Sequence, residues 1–165
     1  MSKLLQAALG DLDHEMAGTR TMLSRLPEAH LDFTPHEKSW PLYRLAAHLT
    51  DMPMWGAVTL NTTELDFASA PPNPPVGRTA AAMVQQFDER LLDFRKAIAS
   101  TTDDALMETW TLRSGDHVIL SMPRLAVLRS MVMNHMVHHR AQLTVYYRLV
   151  GVAVPGHYGP SADET

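Results

Sequence analysis

The chain has 165 residues, enough for a single domain over 1–165 with its own core, and 14 Lys and Arg against 18 Asp and Glu give a formal charge of −4. With no run of Lys or Arg, it lacks the electrostatic footprint that nucleic acid requires, so no nucleic-acid partner is expected. The absence of cysteine excludes disulfides, thiolate metal ligands and a protein-borne thiol nucleophile, and it fits a reducing compartment.

The first twenty residues carry Asp11, Asp13, His14 and Glu15 inside an amphipathic pattern. They resemble neither a signal peptide nor a membrane span, so a cytoplasmic protein without membrane contact is expected. Apolar residues recur at helical spacing in four blocks, and the gaps between them hold most of the proline and glycine. The first block predicts a helix from Ser2, as N-cap, to near Pro27, with Leu5, Leu9, Leu12, Met16 and Leu23 facing inward. A second helix is predicted to open at Ser39 to Pro41, where a capping serine and an early proline suit a helix start. Leu42, Leu45, Leu49 and Met52 mark its buried face, with Leu60 two turns on, and Pro53 predicts a kink just beyond His48 that would shape a cavity.

Ser69 to Gly77 is proline-rich and reads as a connector crossing the outside of the helices. Thr79 can cap a third helix running to Ser100, with Met83, Phe87, Leu91, Phe94 and Ile98 inside. Two short β-favouring runs, Thr109 to Leu112 and His117 to Leu120, flank Ser114-Gly115-Asp116 and predict a small β-hairpin between helices three and four. The fourth helix is predicted to open at Ser121, with Pro123 early, and to stop at Gly151. Its seam reads Leu125, Leu128, Val132, His135, His139, Leu143, Tyr146 and Val150. The fold class is therefore all-α, a four-helix bundle with that hairpin inserted.

Three of the nine histidines fall within Asn134 to Arg140. Residues four apart on a helix differ by only about 40° around its axis, so His135 and His139 look the same way, while His138 is turned partly aside. Imidazole at a seam position costs stability unless its nitrogens are satisfied, and one metal ion satisfies a nitrogen on each ring. The third ligand should come from a facing helix, and His48, between Leu45 and Met52, is the best placed. His48, His135 and His139 are thus the candidate metal ligands, for a divalent ion that imidazole suits, zinc or nickel. Asp51, near His48, reads either as a partner of the site or as a solvated carboxylate. Met131, Met133 and Met136 read as core filling, and Trp40, Trp55, Tyr146 and Tyr147 as core or pocket wall. Three protein ligands leave a fourth position for water or a substrate atom. Met136 stands where the metalloprotease helix motif has glutamate, which disfavours proteolysis.

The chain resembles the DinB-like, or YfiT-like, metalloenzyme family. The resemblance is carried by Trp40-Pro41-Leu42 leading into Ala47-His48-Leu49, by His135-Met136-Val137-His138-His139-Arg140 with Gln142-Leu143, and by Val154-Pro155 with the Tyr158 to Glu164 ending. It implies an up-down-down-up four-helix bundle, a homodimer, and a divalent metal on His48, His135 and His139. Ala141 departs from the family pattern, which often has glycine there, and adds a methyl group near the helix interface. Relatives of this fold include thiol-dependent S-transferases and isomerases, so transfer of a low-molecular-weight thiol to a small-molecule electrophile is the leading expectation. Metal-assisted hydrolysis is the runner-up, and a non-catalytic metal-binding or stress-response bundle is the reading of another class. The C-terminal tail is expected either to fold over the site or to fray.

Overall fold

The structure, a computed structural model, describes residues 3–164; the expected cap at Ser2 lies outside the described residues. Four long helices frame the molecule: α2 (Leu12–Ser24), α3 (Leu42–Asn61), α4 (Ala80–Ser100) and α7 (His135–Leu149). They contact one another in a ring, α2 on α4, α4 on α3, α3 on α7 and α7 on α2. Most inward residues expected from periodicity are buried along all four, including Met16, Leu23, Leu45, Leu49, Phe87, Phe94 and Leu143, and they form one contiguous core, while Leu60, Leu125 and Val150 are half-buried.

Two of the expected helices are not single elements. The first block divides into α1 (Lys3–Leu9) and α2, with Gly10 and Asp11 at the break. Both pieces keep their apolar stripe, Leu5 and Leu9 on one and Leu12 and Met16 on the other, so the burial pattern ran straight across the interruption. The last block opens as α6 (Arg124–Val127), passes through a π-helical stretch, Leu128–Asn134, and only then becomes α7. Ser121 is not its cap, because it belongs to a strand, and Pro123 stands at the cap position instead. Similarly Pro41, not Ser39, precedes α3, its carbonyl accepting from the Leu45 amide at 3.2 Å. α3 runs through Pro53 as one unbroken helix.

Thr79 does cap α4, its hydroxyl accepting from the Ala82 amide at 3.1 Å. α7 ends in a Schellman turn: Gly151 takes φ +74°, the Gly151 amide donates to the Arg148 carbonyl and the Val152 amide to that of Tyr147. A short α5 (Asp103–Met107) leads into the hairpin, β2 (Thr109–Ser114) and β3 (His117–Pro123), which turns at Gly115 with φ +58°. The hairpin belongs to a three-stranded sheet of order β1-β2-β3, because β1 (Glu64–Asp66), just after α3, pairs in parallel with β2, Leu65 opposite Leu112. Arg113 holds this added strand through Glu64 and Asp66, each at 2.7 Å. Behind the sheet, Trp110, Leu112 and Val127 make a second small apolar cluster with Trp55, Leu120 and Met131.

The buried Arg124 locks the sheet and the last helix to the end of α3. Its guanidinium donates to the carbonyls of Thr59, Thr62 and Ala105 and pairs with Glu108. Cations at a helix C-terminus satisfy its orphan carbonyls. Here that also fixes α7 against α3, the two elements that carry the histidines. Among the described residues, no helix is long and apolar enough to cross a membrane.

Candidate metal centre

His48 on α3 and His135 and His139 on α7 point their rings at one another from facing helices. Nε2 of His48 lies 3.3 Å from Nε2 of His135, which lies 2.7 Å from Nε2 of His139. A tetrahedral ion with arms of about 2.05 Å separates its ligand nitrogens by about 3.3 Å. The first spacing matches that value and the second is within a small ring rotation of it, so the three nitrogens could hold a metal ion. Their protonation suits the task. Burial, then the neighbouring His139, His135 and Arg44, push His48 down to about 4. Burial likewise lowers His135 and His139, against the Met131 carbonyl and Gln142 that work in the other direction. At neutral pH all three rings are uncharged and offer lone pairs.

Groups around the ligands fix their orientation. Gln142 Oε1 sits 2.7 Å from His139 Nδ1, so that nitrogen carries the proton and Nε2 is left for the cluster. Trp40 stacks on His139, with centroids 5.8 Å apart and planes at 20°, and meets His48 edge-on. Arg44 covers the other side of the Trp40 ring, 4.3 Å from its centroid. Arg44 was not singled out from the sequence, and Gln142 entered only as part of the family resemblance without this role, although each sits one helical turn from a candidate ligand, Gln142 at i+3 and Arg44 at i−4. The π-helical stretch also escaped the sequence reading, and it changes where the histidines stand. Leu128, Val132, Leu143 and Tyr146 are buried on the expected seam, but between them Met136 and Arg140 are the buried residues where His135 and His139 were expected. A π-helical turn holds one residue more than an α-turn, and just past this one His135 and His139 stand half-buried at the edge of the core.

Other residues raised by the sequence fall elsewhere. Asp51 faces α4, pairing with Arg90, and is no partner of the histidines. His138 is exposed, touching the site only by its ring against His139. Met133 and Met136 are core, whereas Met131 and Trp55 line a cavity beside His48 and His135. Ala141 is exposed and lines a cavity under the C-terminal tail.

The tail neither frays nor covers the histidines. It docks on α2 and α7 through a second polar cluster that the sequence did not reveal. Glu15 and Arg140 are buried and paired at 2.5 Å, with side chains only 6% and 5% exposed. Tyr158 Oη donates to Glu15 at 2.9 Å and accepts from Arg140 at 2.8 Å, and His157 lies 3.3 Å from the same carboxylate. Burial alone would raise the Glu15 pKa, but the bonds from Arg140, Tyr158 and His157 outweigh it and hold the carboxyl ionised. His14, Glu15 and His157 have metal-like spacing, yet the Arg140 guanidinium already neutralises that carboxylate and would repel a cation there.

The whole sequence matches a known group: the model of the DinB family covers residues 1–165. The chain belongs to the DinB family. YrdA, an uncharacterized protein of Bacillus subtilis, is 28% identical over 165 residues, spanning 99% of this chain and 93% of that protein. DinB-like proteins of known structure share the fold. One from Bacillus cereus superposes with a TM-score of 0.68 at 24% identity, covering 93% of this chain and 97% of the other. YjoA of B. subtilis gives 0.68 at 14% identity, covering 92% and 96%. A DinB-family member from Exiguobacterium sibiricum gives 0.63 at 17% identity, covering 100% and 99%.

Proposed function

We propose that this DinB-family protein is a metal-dependent enzyme of small-molecule chemistry, with His48, His135 and His139 as ligands to a divalent ion, zinc or nickel. The observation that carries the reading is the meeting of three uncharged Nε2 atoms from two facing helices at the edge of the core. Imidazole in such a place is costly unless something engages it, and a single ion engages all three. When bound, the ion supplies Lewis acidity at an open coordination position, which favours a thiolate or hydroxide over its protonated form.

The reaction we favour is transfer of a low-molecular-weight thiol to an electrophile. The chain has no cysteine, so the sulfur nucleophile comes from a co-substrate. Gln142 keeps His139 in the tautomer that leaves Nε2 free, and Trp40 with Arg44 walls the ligands on the solvent side. The carboxylates near the site are engaged elsewhere, Asp51 by Arg90 and Glu15 by Arg140, which leaves proton removal to solvent. A homodimer joined through exposed apolar residues such as Leu92, Val145 and Leu149 completes the proposal, and sedimentation velocity checks it.

Elemental analysis of tag-free protein tests the site. Near-stoichiometric zinc or nickel in the wild type, lost in His48→Ala, His135→Ala and His139→Ala, is the expected result, followed by metal-dependent consumption of a thiol with an alkylating electrophile. Metal-free protein that stays folded and resists reconstitution would overturn the reading in favour of a non-catalytic bundle. Turnover of esters or amides without thiol would point to hydrolysis.

A further inference from the structure

The histidine group stands between two cavities of opposite character. On the sheet side is a chamber of about 230 Å³ whose walls include His48, His135, Trp55, Phe67, Trp110 and Met131. The polar atoms near it are occupied: the Thr59 hydroxyl donates to the Trp55 carbonyl at 2.8 Å and the Trp110 indole N–H to Thr62 Oγ1 at 2.9 Å. What remains facing the space is aliphatic and aromatic carbon, with two imidazoles at one end. On the other side, His139 opens onto a cleft of about 250 Å³ with Lys38, Ser39 and Gln142 along it. That cleft offers a cation and hydrogen-bonding groups, and the chamber offers none beyond the ligands themselves.

Size and polarity select the occupant. An apolar cavity of about 150 Å³ accepts a benzene ring and stays dry without one. The chamber therefore has room for one ring and a short substituent, but not for a peptide or a nucleotide. A charged group placed there would lose its hydration with nothing to replace it. Phe67, 47% exposed and meeting Trp55 edge-to-face at 5.7 Å, stands where a ligand would enter. It follows directly on β1, so the added strand positions that side chain.

We infer that the sheet-side chamber is the acceptor subsite, taking a small uncharged aromatic electrophile beside His48 and His135, with the polar thiol matched by the cleft at Lys38. The inference rests on the S-transfer reading for its chemistry. The thiolate sulfur forms a C–S bond to the side-chain carbon of the acceptor as its C–X bond breaks, X leaves with the electron pair, and the thiol proton passes to solvent.

Bromobenzene, which presents the ring without a reactive side chain, probes the chamber, and its heavy atom quenches the fluorescence of Trp55 and Trp110. Saturable quenching is expected in tag-free wild-type protein. Binding at least tenfold weaker is expected in Leu120→Phe and in Met131→Phe, which fill the space from different elements, and for 4-bromobenzenesulfonate. His139→Ala does not touch the chamber and should keep bromobenzene affinity while losing metal. Quenching that never saturates, or that is equal in the wild type and both filled variants, would overturn the subsite even if metal is bound. Saturable, filling-sensitive binding to a protein that takes up no metal would sustain the chamber and sink the metal reading instead.

Discussion

Gln142 makes the difference between a histidine that faces the cluster by chance and one held there. Its amide oxygen fixes the His139 proton on Nδ1, and the residue is otherwise exposed. Removing such an outer hydrogen bond typically weakens metal binding by about 10- to 100-fold. Gln142→Leu should therefore lower metal affinity within that range in a competitive chelator titration while leaving the thermal midpoint nearly unchanged. The three histidines also set a pH dependence. All three have folded pKa values below the ordinary histidine value, His48 at about 4. An unfolded chain binds those protons first, so the stability their neutral forms contribute is intact above about 6.5 and is lost as pH falls toward 4. Chelator-treated protein should show a falling urea midpoint between pH 7 and pH 5, and His48→Ala should flatten that decline. The lowered carboxylates, Glu15 among them, act at lower pH and do not blur this window. At this scale the sequence told most: helical spacing named the two histidines of α7 and an apolar stripe named His48. Their orienting partners were hidden because a glutamine or an arginine one turn away looks like any solvated residue.

Elements were legible where burial followed one period and illegible where the backbone changed period. Met83, Phe87, Leu91 and Phe94 marked α4 and Thr79 marked its start, all as found. The last block kept an apolar repeat through a wide π turn, which no count of hydrophobic residues registers, and Met136 and Arg140 are buried in place of the expected His135 and His139 while the rest of its seam holds. β1 was missed because Glu64-Leu65-Asp66 is too short and too acidic to read as a strand; it depends on Arg113, 47 to 49 residues downstream. The contact between α3 and α4 depends on an equally quiet residue. A Cβ added at Gly56 would lie 2.5 Å from the Phe94 ring, closer than real atoms come. Overpacking of a core costs about 1–3 kcal/mol, and helix propensity returns about 1 kcal/mol for Gly→Ala, so packing wins. Gly56→Ala should be destabilised by up to about 2 kcal/mol in urea denaturation, whereas the same change at an open helical glycine would stabilise.

Across the whole molecule, two polar clusters divide the work on neighbouring faces of one helix: His135 and His139 serve the candidate site, and Arg140, the next residue, ties α7 to α2 and to the tail. The sequence showed the first but not the second, because a buried ion pair looks like two surface charges until the fold brings Glu15 and Arg140 together across 125 residues. Burying both charges costs several kcal/mol in desolvation, repaid only while the partners and the Tyr158 and His157 contacts are all present. Removing one partner leaves the other charge stranded, so Glu15→Leu and Arg140→Met should each cost about 3–5 kcal/mol. The double variant should be more stable than either single one, since two apolar side chains of similar volume need no hydration repaid. A double-mutant cycle by urea unfolding, with metal content measured in parallel, separates the clusters. Strong non-additivity with metal retained in the double variant would show that the latch holds the frame without shaping the histidine face. Additive losses would mean that Glu15 and Arg140 are not coupled, whereas metal lost with the pair replaced would mean that Arg140 also positions His139, and that the two faces of α7 are one site.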